Sequence, residues 1–241
     1  MDDTFYFSEQ NLAVRDTVRE FARDHVAPVA AKLDAEGKFL WENVRRMGEL
    51  GLLGVPWPEE LGGAGLDITS YIIAIHEMAK VDASHAITIS AHTTLGTSPI
   101  VKFGNDEQRH RYVPLLASGK VLGGFGLTEP SAGSDAGGTR TRAEKRGDRY
   151  VLNGSKIFIT HGGVGEIFVV TAVTDATRGT KGISSFILTK PTTDLDSARA
   201  VGVGHDESLP AMKGFRAGKK EDKLGWRSSD TRELVFEDVE V

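Results

Sequence analysis

Residues 126–138 read Gly-Leu-Thr-Glu-Pro-Ser-Ala-Gly-Ser-Asp-Ala-Gly-Gly and separate a half with helical periodicity from a half with strand-like alternation. Pro130 lacks a backbone donor and disfavours helix at Glu129, while the glycines allow turns and close backbone approach. Thr128 and Ser134 add hydrogen-bonding groups that suit a heterocycle edge or an anionic tail. Two interpretations of these residues stay open: they could form a ligand-binding loop or a plain surface turn. Glycine and proline content alone favours the surface turn.

The sequence before this stretch predicts an all-helical domain over residues 1–120. Apolar residues recur there at three-to-four spacing with charged residues between them, as in helices that bury one face. Because proline removes an intrahelical hydrogen bond, the patterns that contain Pro28 and Pro99 should be bent or interrupted. The predicted helices run from a Ser8 N-cap to about Asp34, then over Trp41–Leu50, Ile68–Val81 after an Asp67 N-cap, Ala83–Phe103 and Asp106–Ala117.

The sequence from Val121 onward predicts a β domain over residues 121–241. Asn153-Gly154 favours a type I′ turn, so residues 150–160 are predicted to form a hairpin. Further strands are predicted over Ile167–Val173, Ile183–Leu188 and Glu233–Val239, with a polar excursion over Pro191–Gly218. Since no crossover helices separate these strands, the predicted fold class is α+β: a helical domain followed by an antiparallel sandwich or barrel.

Composition narrows the possible functions. The chain has 241 residues, 29 basic against 34 acidic side chains, a net charge of -5 and no cysteine. It carries no basic stripe for nucleic acid and can form neither disulfides nor thiolate metal sites. No basic-then-apolar leader and no apolar run of roughly 18 residues is visible, so neither a targeting peptide nor a membrane span is predicted, and the cytoplasm is the expected location.

Two further kinds of site are not supported by the motifs. The seven histidines show no HxxxH or HxH pairing, which argues against a metal site. The glycine runs at 62–65 and 162–165 do not fit GxGxxG between a strand and a helix. A nicotinamide-binding Rossmann site is therefore not predicted.

Four motifs occur in order along the chain, and together they resemble the acyl-CoA dehydrogenase family in its N-terminal helical and middle β domains. The match covers essentially the whole chain and favours the ligand-loop interpretation of residues 126–138. The motifs are Phe103-Gly-Asn-Asp-Glu-Gln108 with Tyr112-Val-Pro114, Leu127-Thr-Glu-Pro-x-x-Gly-Ser-Asp135, Lys156-Ile-Phe-Ile-Thr160, and Lys223-Leu-Gly-Trp226 with Ser229-Asp-Thr-Arg232.

The resemblance implies α,β-dehydrogenation of an acyl-CoA thioester, with the hydride passing to N5 of FAD and the electrons to an electron-transfer flavoprotein. It implies that Ser134 contacts the substrate, that Phe158 packs on the isoalloxazine and that Thr160 lies near N5. It also implies a homo-oligomer, a tetramer or dimer. The residues implied to bind FAD are Phe125, Leu127, Thr128, Gly133, Ser134, Phe158, Ile159 and Thr160.

Several of these residues have a purely structural alternative. Phe158 and Ile159 lie in an alternating pattern and could belong to the core, and Thr160 could only end a strand. Glu129 resembles a general base, but its place before Pro130 favours structural hydrogen bonding. Phe158 stands where many family members have tryptophan, and His161 stands where asparagine is frequent.

The family's third domain, which carries the catalytic glutamate, would begin after Val241, so no catalytic residue is assigned and these 241 residues alone are expected to be inactive. Three hypotheses remain: an FAD-dependent acyl-CoA dehydrogenase, a non-catalytic flavin- or CoA-binding module, and a flavin oxidase or monooxygenase of the same fold. Acyl-chain length cannot be predicted from these residues.

Overall fold

The computed structural model describes residues 6–189 and 212–241, which fall into two compact units. The first comprises Met1–Lys120 and Asp222–Ser229, and the second comprises Val121–Glu221 and Asp230–Val241. The predicted division at residue 121 assigns Asp222–Ser229 to the β domain, whereas this segment packs within the first unit. Arg227 fixes it there, donating its backbone N–H and two guanidinium N–H groups to Asp34 at 2.7–2.9 Å.

The first unit is helical, as predicted. Its helices begin at the expected caps: the Ser8 hydroxyl accepts a hydrogen bond from Asn11 N at 3.1 Å, and the Asp67 carboxylate accepts one from Ser70 N at 2.7 Å. Within the part of the chain that the structure describes, the α-helices are α1 Glu9–Phe21, α2 Ala27–Glu36, α3 Trp41–Glu49, α4 Ile68–Ala79, α5 Ala83–Ala91, α6 Ser98–Phe103 and α7 Asp106–Ala117.

Both proline-containing patterns are interrupted, and each interruption is a π-helical segment directly before the proline. Ala22–Val26 joins α1 to α2, which has Pro28 in its first turn, and His92–Thr97 joins α5 to α6, which has Pro99 in its first turn. A proline ring clashes with the carbonyl four residues earlier, and a wider turn relieves that clash. The predicted split at Pro28 is therefore confirmed, and the second interruption begins earlier than the position of Pro99.

The described residues of the second unit form one seven-stranded sheet. Its spatial order is β1-β4-β2-β3-β7-β6, and β5 pairs with β4. The fold class is confirmed, but the sheet is mixed rather than purely antiparallel, because β1 runs parallel to β4 over Gly123–Gly126. The strands are β1 Gly123–Gly126, β2 Arg142–Arg146, β3 Arg149–Thr160, β4 Ile167–Val173, β5 Ile183–Thr189, β6 Phe215–Lys220 and β7 Thr231–Glu240.

The predicted hairpin at Asn153-Gly154 is wrong, because β3 continues through both residues. The hairpin turn lies earlier, between β2 and β3, at Gly147-Asp148. Gly154 has a φ of 146°, and a Cβ at this position would lie 2.6 Å from the Thr141 hydroxyl oxygen. This glycine therefore permits close strand contact instead of a turn. The Asn153 side chain pairs with Asp238 on β7, as Nδ2 donates to its carboxylate at 3.0 Å and Oδ1 accepts from its N–H at 2.9 Å.

Three strands were not predicted. β1 reads Gly-Gly-Phe-Gly, and β2 reads Arg-Ala-Glu-Lys-Arg, so neither has the β-branched or aromatic content that marks a strand. β6 lies partly within the predicted excursion Pro191–Gly218, whose first part falls outside the described residues. Phe168, Phe215 and Phe236 pack in the core that holds these strands together.

Among the residues that the structure describes, no helix is long and apolar enough to span a bilayer.

Candidate functional site

Loop 127–138, which connects β1 to the chain before β2, is closed at its start by its own backbone. Glu129 and Ala132 exchange hydrogen bonds, with Glu129 N donating to Ala132 O at 3.0 Å and Ala132 N donating to Glu129 O at 3.1 Å. This pairing turns the chain back at Pro130, where the ring supplies no donor. Gly133 and Ser134 follow on the exposed side, and a Cβ at Gly133 would meet no atom within 4 Å. The exposed tip of the loop therefore has space for a ligand.

The Glu129 carboxylate ties the two ends of the loop together. It accepts hydrogen bonds from Arg140 N at 2.7 Å and Thr141 N at 3.0 Å, and from the Lys156 ammonium at 2.7 Å. Burial acts to raise the pKa of Glu129, but hydrogen bonds from Lys156, Thr141 and Arg140 outweigh it and hold the pKa below its usual value. The predicted structural hydrogen bonding of Glu129 is thus confirmed.

Strand β3 lies beside the start of this loop. Ile157 N donates to Thr128 O at 2.8 Å, which places the Leu127-Thr128 segment against residues 156–160. Glycine makes the approach possible: a Cβ on Gly124 would lie 2.9 Å from Thr160 O, and one on Gly126 would lie 3.2 Å from Lys156 Cγ. The structure therefore brings the two predicted flavin segments together on one side of the second unit.

Phe158 has an unusual conformation for an aromatic residue in a strand. Its φ is +60°, and 62% of the side chain is exposed. The register between β3 and β7 shifts between Lys156 and Ile159, so Phe158 occupies a bulge. Positive φ is strained for a bulky side chain, and such outliers cluster at functional sites. The core alternative is wrong for Phe158, whereas the Ile159 side chain is buried in the core cluster.

The end of β3 is fixed by buried groups. Thr160 is half-buried, and its neighbour His161 is fully buried with a φ of +63°. His161 Nδ1 lies 2.9 Å from Gly123 O, and because a carbonyl can only accept, Nδ1 carries the proton. His161 N donates to Asp230 O at 2.8 Å. His161 therefore links the end of β3 to the residue before β7 and to the start of β1.

The predicted site residues occupy different depths. Phe125, Leu127, Thr128 and Thr160 are half-buried, while Gly133, Ser134 and Phe158 are exposed. This set combines an exposed ring, three hydroxyl groups and backbone that glycine leaves accessible, which fits a planar heterocycle with a polar edge. Sequence reasoning missed Lys156, Gly124 and Gly126, although the Gly-x-Gly spacing of β1 was a visible signal for close approach.

Among the residues that the structure describes, no group of three or more histidines and carboxylates is placed to hold a metal ion.

Comparisons with known proteins identify similar chains. The sequence matches the N-terminal domain of acyl-CoA dehydrogenases over residues 8–120 and the middle domain over residues 124–239. A curated relative, the short-chain-specific acyl-CoA dehydrogenase of Clostridium acetobutylicum, is 47% identical over 237 residues, which are 98% of this chain and 57% of the relative.

Solved structures agree in fold. A chain in the structure of the electron transferring flavoprotein of Acidaminococcus fermentans has a TM-score of 0.88 at 44% identity, covering 100% of this chain and 58% of that chain. A glutaryl-CoA dehydrogenase of Mycobacterium smegmatis in complex with FADH2 has a TM-score of 0.84 at 30% identity, covering 100% and 55%. The 241 residues thus span just over half the length of these similar chains.

Proposed function

Because this chain belongs to the acyl-CoA dehydrogenase family, we propose that it forms the flavin-binding face of an FAD-dependent enzyme that dehydrogenates an acyl-CoA thioester between its α and β carbons. The conformation of Phe158 carries the proposal. A strained, largely exposed phenyl ring at a strand bulge has no core to fill, and a planar cofactor would bury it and offset its strain.

The residues around Phe158 would hold FAD in complementary ways. Phe125, Leu127 and Thr128 would line the pyrimidine edge through backbone groups and a hydroxyl, with Gly133 and Ser134 beside the pyrophosphate. The Thr160 hydroxyl would donate a hydrogen bond near N5, where negative charge develops on reduction. Ile159 would contribute through its backbone, since its side chain is buried. FAD, when bound, supplies the acceptor for the substrate's β-hydride.

Ser134 is proposed to contact the acyl-CoA as well, because it stands on the exposed tip of the loop. The short-chain specificity of the C. acetobutylicum relative supports a short-chain thioester as the substrate. A general base must lie within hydrogen-bonding reach of the proton that it removes. Glu129 cannot serve, since its carboxylate is buried and bound by three donors, and we assign the base to no residue of this chain.

An electron-transferring flavoprotein is the proposed electron acceptor, supported by the structural match to a chain in the A. fermentans structure. A homo-oligomer is proposed on the family relationship. Residues 1–120 are proposed as a helical domain and residues 121–241 as a β domain, except that Asp222–Ser229 packs within the first unit.

Anaerobic titration of the complete gene product with butyryl-CoA tests the reaction. The visible absorbance of bound FAD should bleach with butyryl-CoA and much less with palmitoyl-CoA, and an electron-transferring flavoprotein should restore it. A flavin that stays oxidised with every acyl-CoA would contradict the dehydrogenase proposal and leave a binding module. Rapid reoxidation by oxygen alone would favour an oxidase.

A further inference from the structure

Lys156 on β3 is a charged residue among the largest fully buried side chains of the described residues. Its ammonium has three donors, and all three are used: Leu127 O lies at 3.1 Å, Glu129 Oε1 at 2.7 Å and the Thr171 hydroxyl oxygen at 3.1 Å. Burying an ion pair costs desolvation that its attraction often fails to offset, so well-packed apolar residues are commonly as stable. Stability alone is therefore a weak reason for a lysine here.

The contact with Leu127 O has a geometric consequence. A trans peptide is planar, and its carbonyl and following N–H point in opposite directions. Because Leu127 O is directed at the Lys156 ammonium, the N–H of Thr128 is directed away from it. The next carbonyl, Thr128 O, is held by Ile157 N at 2.8 Å. Two successive peptide groups of the loop are thus oriented by neighbouring residues of one strand.

Glu129 completes the arrangement. It compensates the charge of Lys156 and at the same time binds Arg140 N and Thr141 N at the far end of the loop. Thr171 on β4 supplies the third acceptor for the ammonium and so helps to fix its position. Lys156 therefore contacts both the Leu127 backbone and the carboxylate that closes the loop.

We propose that Lys156 is a positioning residue for the cofactor: its ammonium holds the Leu127–Thr128 peptide in the orientation that presents Thr128 to the flavin, with Glu129 as its counter-charge. This inference rests on the proposed function, since it names what that orientation serves. Lys156 itself is fully buried, so it would act through the loop backbone.

The test compares variants of the complete gene product, stripped of flavin and titrated with FAD by fluorescence quenching. Lys156→Met with Glu129→Gln removes both charges together, which avoids leaving one ion buried alone. Val239→Ala, which creates a cavity at a buried position near the C-terminal end of β7, serves as the stability-matched control. If the double variant does not fold, Lys156→Gln combined with Glu129→Gln, which keeps a shorter neutral donor and leaves no charge buried alone, is measured in its place.

The double variant should bind FAD about tenfold more weakly and shift the visible band of the bound flavin, because the Leu127 carbonyl has lost its donor. Val239→Ala should keep both the affinity and the band at a comparable loss of melting temperature. An unchanged FAD affinity together with an unshifted flavin band in the double variant, or in the variant measured in its place, would overturn the positioning role of Lys156. That result would leave the proposed function intact. Failure of the unmodified protein to bind FAD would instead overturn the proposed function, and this inference with it.

Discussion

Phe158 combines a φ of +60° with a largely exposed aromatic ring, although it lies within strand β3. The alternating pattern of β3 allows either a core or a cofactor role, and periodicity cannot separate them, because a bulge changes which face a side chain occupies. The structure separates neighbours: Ile159 is buried in the core, and Phe158 is exposed with positive φ. The family resemblance predicts a cofactor role for the ring, which stays a prediction, whereas nothing in the sequence predicted its positive φ.

Phe158→Ala should therefore weaken FAD binding by about tenfold or more while changing the unfolding free energy of the flavin-free protein by only about 0.5 kcal/mol. The ring is exposed, so its removal leaves no cavity in the core. Phe158→Trp, which preserves a planar face, should retain binding. Equal losses of stability and affinity in the alanine variant would show that the ring has a packing role. Flavin titration and thermal unfolding of the flavin-free variants measure both quantities.

Glu77 is a buried carboxylate held by two basic side chains. Its carboxylate is 6% exposed and accepts hydrogen bonds from Arg19 at 2.9 and 3.2 Å and from Lys80 at 2.8 Å. Burial acts to raise its pKa, but these two cations outweigh it and lower the pKa from 4.5 to about 2. A carboxyl with a depressed pKa stabilises the fold above its unfolded pKa, and this contribution is lost as pH falls.

Glu77→Gln should accordingly reduce the unfolding free energy at neutral pH by about 2 kcal/mol, and the difference from the unmodified protein should shrink between pH 4.5 and about 2. Denaturant melts across this pH range provide the measurement. A difference that stays constant with pH would mean that the contribution of Glu77 comes from packing and not from its charge.

At the scale of elements, the helices were predictable because caps and apolar periodicity act locally, as at Ser8 and Asp67. Strands rich in Val, Ile and Phe were predictable because their composition is likewise a local signal. β1 and β2 were not, since one is mostly glycine and the other mostly charged, and only their pairing partners make them strands. The hairpin prediction at Asn153-Gly154 failed because tertiary contacts with Asp238 and Thr141 outweighed the local turn preference of this dipeptide.

Gly154→Ala tests that interpretation. The new Cβ would lie 2.6 Å from the Thr141 hydroxyl oxygen and 2.8 Å from its Cα, at a φ of 146°. The variant should lose about 2 kcal/mol of unfolding free energy, because strands β2 and β3 must separate to accommodate the methyl group. Gly133→Ala, whose Cβ meets no atom within 4 Å, is the matched control and should keep its melting temperature. Loss of stability of similar size in both variants would contradict the close-contact explanation.

At the scale of the whole molecule, four motifs in order along the chain indicated the family. The sheet of the second unit brings two of them together, the loop motif Leu127–Asp135 and the strand motif Lys156–Thr160. What the sequence could not indicate is how they meet, because that depends on a buried lysine and on close backbone approach at Gly124 and Gly126. These are consequences of three-dimensional packing between β1 and β3. The proposed site consequently rests on geometry for its arrangement and on the family for its chemistry.

If the second unit binds FAD, the cofactor should stabilise the folded protein by mass action. At a free FAD concentration of 100 times its Kd, the gain is about 2.7 kcal/mol, and it should appear as a higher melting temperature. Riboflavin, which lacks the pyrophosphate and adenosine, should stabilise less at the same concentration. A melting temperature insensitive to FAD would count against a cofactor site in the complete gene product.

The most direct measurement is a crystal structure of the complete gene product with FAD bound. We expect the isoalloxazine to lie in van der Waals contact with the Phe158 ring, at about 4 Å, with Thr128 and Thr160 within hydrogen-bonding distance of its polar edge. FAD bound elsewhere, with Phe158 still facing solvent, would show that this face of the second unit is not the flavin site.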